Sequence, residues 1–153
     1  KPLITDVDFW INLPMALDNQ IFGITGALTN ATLWAISNRG RFFVSPANAP
    51  IAIAEIAAIP ELKLGWVFSI ISLERYQFIG GPVFNSLYTR SEPLLWMSIN
   101  PVVLDALLME RINYHKKENG FTRIVRNTQV FNYAQSLGLG HYNRKKIQWI
   151  HLP

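Results

Sequence analysis

Residues 19–38 run for twenty positions without a charged side chain and are closed by Arg39 and Arg41. So long an uncharged stretch has to hide most of its surface from water, which restricts the fold more than any other feature. Its length matches one bilayer crossing, and the two arginines match a positive flank. Polar side chains inside it, among them Asn19, Gln20, Thr25, Thr29, Asn30, Thr32 and Ser37, weigh against a membrane span. The pattern predicts instead a helix buried in a packed assembly. Gly23, Ala27 and Ala31 fall four apart, a row of small residues that lets a second helix approach closely.

A second apolar run covers residues 62–73. On a helix, Leu62, Leu64, Trp66, Val67, Phe68, Ile70, Ile71 and Leu73 would occupy nearly every side, and a helix apolar all round is buried all round. Pro60 suits the first helical position and Glu61 the positive end of the dipole. Trp66 then joins Gly23, Ala27 and Ala31 as a helix-packing candidate, and Ser69 and Ser72 bond back to the helix's own carbonyls. Lys63 and the Glu74–Arg75 pair leave too few uncharged residues for a bilayer crossing. The string Glu61-Leu62-Lys63-Leu64-Gly65 is similar to the glutamate-led helix starts of chlorophyll-binding light-harvesting proteins. It lacks their histidine or asparagine, so the resemblance carries no pigment ligand over, and any cofactor stays unknown.

Elsewhere the punctuation is local. Trp10 anchors an N-terminal arm. Pro46 and Pro50 precede a short Ala/Ile helix over 51–59. Asn100-Pro101 caps and opens a helix running to about Lys117, with Val103, Leu104, Leu107, Leu108 and Ile112 at three-four spacing. Residues 128–137 read as a helix stopped by Gly138 and Gly140, and 147–152 as an extended segment. Together these patterns predict a mainly α fold. It is a single irregular multi-helix domain, with an extended arm (1–14), an apolar helical body (15–105), a basic C-terminal third (106–153) and a short extended tail.

Composition bears on function. Charged residues make up 16% of the chain and apolar residues 50%, a deficit of charge that suggests some surface is covered by a partner or lipid. Residues 1–105 carry six Lys/Arg against eight Asp/Glu, whereas 106–153 carry eight against two. The C-terminal third therefore suits an anionic neighbour: an acidic protein face, a lipid headgroup or nucleic acid. Arg123, Arg126, Arg144, Lys145 and Lys146 are the candidate partner- and anion-binding residues. With no cysteine, disulfides and thiolate chemistry are excluded. His115, His141 and His151 lack metal-motif spacing, and no phosphate loop or nucleophile elbow is present, so no catalytic or metal residue is assigned. Any targeting segment would precede Lys1, which leaves localisation open, with membrane association the expected direction.

These features point to a non-catalytic accessory or structural subunit of a larger, membrane-associated multiprotein complex. Its protein partners would meet apolar helices and the basic C-terminal region. A second reading is a nucleic-acid-binding domain whose helix 128–137 and strand-like 147–152 form a winged-helix-like unit. A third is an enzyme with a buried apolar pocket lined by Trp34, Trp66 or Trp96.

Overall fold

The computed structural model describes residues 6–44, 47–122 and 128–152. The fold is mixed α/β, with two small sheets and several helices, which corrects the mainly α expectation. The first sheet has the order β1 (Trp10–Asn12), β4 (Trp66–Ser72), β7 (Leu95–Ser98). β1 runs parallel to β4, and β7 runs antiparallel to it. The second sheet orders β3 (Gly23–Thr25), β2 (Leu17–Asn19), β5 (Tyr76–Gln77) and β6 (Thr89–Arg90). Only its central β2–β5 pair is parallel.

The correction centres on the two apolar runs. Residues 62–73 are not one helix: the chain is helical only over α4 (Pro60–Gly65) and then enters β4. Trp-Val-Phe-Ser-Ile-Ile-Ser is rich in aromatic and β-branched residues, which pack well on a pleated surface and lose rotamer freedom in a helix. A short apolar run cannot be told from a buried helix by periodicity alone, and here two flanking strands decide it. Ser69 accordingly does not bond back to a helix carbonyl. It is buried and accepts from Asn12 Nδ2 (3.2 Å) and Trp66 Nε1 (3.1 Å). Ser72 Oγ accepts the Glu74 amide. The run 19–38 is likewise divided, between β3 and the short helix α1 (Ala27–Thr32).

Helices α2 (Gly40–Phe43), α3 (Asn48–Ala57) and α6 (Gln129–Ser136) complete the body around the long α5 (Pro101–Glu118). The start of α5 follows from its sequence: the Asn100 side chain accepts the amides of Val102 and Val103, and Pro101 fills the first turn. The core gathers Phe22, Leu28, Leu33, Ile53, Ile71, Tyr76, Phe78, Leu108, Ile112 and Phe131. A satellite cluster holds Trp10, Ala31 and Leu62, where the Trp10 indole donates to the Leu62 carbonyl (3.1 Å) and stacks on Trp66 at 5.0 Å.

Helix α5 also carries two charges into the interior. Asp105 is buried and accepts the amides of Ala27 (2.5 Å) and Leu28 (3.0 Å), so it caps α1 from outside the helix. A Cβ on Gly26 would collide with that carboxylate, which explains the glycine there. Burial pushes the Asp105 carboxyl up to about 7 against the two amides that lower it. Lys116, in the last turn of α5, donates to Asp18 on β2 at 2.5 Å, with both side chains almost wholly buried. Asp18 also accepts the Gly80 amide (3.1 Å), yet burial still leaves its carboxyl above the usual range. This pair ties the second sheet to α5.

Candidate functional site

The three-stranded sheet has two unlike faces. Its inner face is buried: Trp10, Asn12, Ser69 and Ile71 pack inward, and Asn12 Nδ2 donates to the Ala27 carbonyl at 2.8 Å. Cross-strand register defines the outer face. Ile11 lies beside Phe68, Ile70 beside Met97 and Ser72 beside Leu95. Alternation continues past β1, with Phe9, Leu13 and Met15 exposed while Pro14 and Ala16 are buried. It continues past β7 to Ile99, which is 84% exposed. Seven large apolar side chains (Phe9, Ile11, Leu13, Met15, Leu95, Met97 and Ile99) are thus exposed beside the half-buried Phe68 and Ile70.

No charged residue occurs in 9–15, 66–72 or 94–99, the segments that build this face. Exposed Asp6 and Asp8 precede its edge strand β1. Scattered apolar residues on a surface need no explanation, but a contiguous patch does. The seven exposed side chains amount to roughly 700–900 Å2, close to the ~800 Å2 each partner contributes to a standard protein interface.

A second constellation links β5, α5 and the turn before β7. Glu92 accepts the Tyr76 hydroxyl and both the Nε (2.8 Å) and a terminal nitrogen of Arg111. Arg111 holds the Glu92 carboxyl below the usual range, while burial and the Glu92 carboxylate push the Tyr76 hydroxyl up. Both groups are thereby locked in their ordinary neutral-pH protonation states, which suits a clamp between sheet and helix better than a proton relay. His115 lies 3.5 Å from Glu92 and 3.2 Å from Glu118, but neither ring nitrogen makes a hydrogen bond.

The residues singled out in the sequence do not form one site. Gly23 sits in β3, whereas Ala27 and Ala31 lie buried on α1, so the small-residue row does not line one helix. Trp66 is on β4, half-buried against Trp10. Arg123 and Arg126 lie outside the described residues. Arg144 pairs with Glu110, and Lys145 and Lys146 follow it, exposed, in a 3-10 turn. Residues 147–152 adopt neither helix nor strand, and Trp149 packs edge-on against Trp96 at 5.9 Å. None of Trp34, Trp66 and Trp96 lines the cleft formed by Ser72, Glu74, Arg75, Thr89, Arg90 and Ser91. No group of three metal-binding side chains is found among the described residues either.

The outer sheet face escaped the sequence reading, although its signal was present. Phe9, Ile11, Leu13 and Met15 alternate with Trp10, Asn12, Pro14 and Ala16 at a period of two. Because the intervening set is itself largely apolar, the alternation does not register as amphipathic. Comparisons with protein-family models, curated proteins and solved structures find no match to this chain.

Proposed function

We propose that the chain is a non-catalytic accessory subunit of a larger multiprotein assembly, docked through the outer face of sheet β1-β4-β7. The observation that carries this reading is the contiguous apolar face built by segments that contain no charge. An area of roughly 700–900 Å2 left in water is more than a monomer of this size usually exposes in one patch. Its occupant is the apolar surface of another protein. A headgroup layer fits less well, because an anionic bilayer calls for flanking cations and the face has Asp6 and Asp8 ahead of its edge strand. No helix among the described residues is long and apolar enough to cross a membrane. Exposed Lys145 and Lys146 supply positive charge for an acidic neighbour.

The test is the paired variant Leu95→Lys/Met97→Lys, which places two charges on the exposed face without touching the core. In extracts of cells that make the protein, the wild-type chain should elute far above 17.4 kDa. The variant should elute as a folded monomer with an unchanged circular-dichroism spectrum. A wild-type chain eluting as a monomer, or a variant still assembled, defeats the proposal. Elution at twice the chain mass identifies a second copy as occupant, and flotation with liposomes identifies lipid, each in place of a foreign subunit.

A further inference from the structure

The sheet β1-β4-β7 ends in two unlike edges. Asp6 and Asp8 precede β1 and Pro14 follows it, and charge and proline are what keep an open strand from pairing with another chain. The other edge strand, β7, has neither: residues 94–99 read Leu-Leu-Trp-Met-Ser-Ile. We infer that the neighbouring subunit adds an extended strand to the open edge of β7. The inference rests on the docking proposal and names how the partner engages.

Hydrogen-bond direction shows which main-chain groups wait there. The Leu73 amide donates to the Leu94 carbonyl at 2.9 Å, so that carbonyl points at β4. In a trans peptide the next N–H points the opposite way, and along an extended strand the direction alternates from residue to residue. Trp96 and Ser98, paired with Ile71 and Ser69, therefore bond to β4, whereas the N–H and C=O groups of Leu95 and Met97 face away from the sheet. Neither residue has a hydrogen-bond partner on that side among the described residues. The C-terminal tail comes near through Trp149, which packs edge-on against Trp96 at 5.9 Å, but no hydrogen bond joins residues 147–152 to β7 among the described residues. The side chains of Leu95 and Met97 are 71% and 61% exposed, so the edge is open to an incoming chain.

These groups select a strand, because a row of alternating donors and acceptors is matched by extended main chain. Side chains directly opposite on neighbouring strands share a face. The partner residues beside Leu95 and Met97 thus join the uncharged outer face, which calls for apolar side chains at alternate positions of the added strand. A second copy of this chain fits less well. Antiparallel pairing of β7 with its own copy sets the twofold axis perpendicular to the sheet, so both outer faces point the same way and stay uncovered. Edge pairing over the four residues of β7 also covers far less than the ~800 Å2 per partner of a standard interface. A foreign subunit that pairs with β7 and folds over the outer face meets both requirements at once.

Amide hydrogen exchange resolved by residue separates strand addition from contact through the face alone. In the isolated chain, Leu95 and Met97 should exchange fast while Trp96 and Ser98 are protected. In the assembly purified from cells through a tagged chain, Leu95 and Met97 should slow by about tenfold or more. Met97→Pro removes an N–H that the β4 ladder does not use and sets a ring against the incoming strand. That variant should stay folded by circular dichroism yet elute as a monomer, whereas Met97→Leu keeps the N–H and should stay assembled. The exchange comparison stands whether or not Met97→Pro folds. An assembled Met97→Pro chain beside a monomeric Leu95→Lys/Met97→Lys chain overturns strand addition and leaves face docking standing. If both variants stay assembled, or the wild-type chain is a monomer, both readings fall. Protection of Leu95 and Met97 already present in the isolated chain overturns the inference by assigning the edge to the chain's own tail. Protection in a particle of twice the chain mass overturns it by assigning the edge to a second copy.

Discussion

Replacing Lys116 by Met leaves Asp18 as a buried carboxylate without its cation. The two groups meet at 2.5 Å with side chains 5% and 4% exposed, so water cannot take the place of the lysine without opening the contact between β2 and α5. Met keeps most of the aliphatic stem and creates little cavity, so the penalty is chiefly electrostatic. Removing one partner of a buried pair typically costs about 3–5 kcal/mol. A ceiling on that cost follows from protonation, because the folded variant can take up a proton on Asp18 rather than hold a bare charge. The ordinary Asp18 value is 3.8, so at pH 7 protonation costs about 4 kcal/mol at 1.36 kcal/mol per pH unit. At pH 5 the same cost is roughly 1.6 kcal/mol. Without Lys116 the folded carboxyl titrates further above its unfolded value, so its favourable contribution is present at low pH and lost as pH rises. Urea unfolding of wild type and Lys116→Met should therefore differ by up to about 4 kcal/mol near pH 7, with the ceiling falling to under half of that near pH 5. The double variant Asp18→Asn/Lys116→Met removes the charge while keeping an acceptor for the Gly80 amide, and should recover most of the loss. A penalty below about 1 kcal/mol, or one that does not vary with pH, would refute the reasoning.

Two further outcomes test the interior. Because burial lifts the Asp105 carboxyl from 3.8 to about 7, the folded chain retains a proton that the unfolded chain has released. Stability should therefore decline as pH rises from about 4 to about 7, and Asp105→Asn should flatten that part of the urea-midpoint profile. Gly26→Ala pushes a methyl group into the Asp105 carboxylate and displaces it from the α1 amides. The expected loss is about 1–3 kcal/mol, the cost of leaving buried donors unpaired, and a change within error of zero would place the carboxylate elsewhere.

Legibility divides by range. Asn100-Pro101, Pro60-Glu61 and Gly138 act within one helical turn, so the beginnings of α4 and α5 and the stop after α6 could be read from neighbouring residues. The expected anchoring role of Trp10 needed only the size of an indole, but its partners Leu62 and Trp66 became visible only in the fold. The candidate docking face was hidden for a different reason. Both sides of residues 9–16 are largely apolar, and which side meets the core depends on how β1 registers with β4.

The sequence by itself determined the local stops and caps, the absence of thiol chemistry, the shortage of charge and the basic C-terminal third, because each is a property of adjacent residues or of composition. Only the tertiary structure decided that residues 66–72 extend rather than coil, since that choice depends on strands more than fifty residues before and about twenty-five residues after them. It also decided which scarce charges go inside. Asp18 and Lys116 stand 98 positions apart, and no local pattern reports a partner that chain folding alone brings within a hydrogen bond.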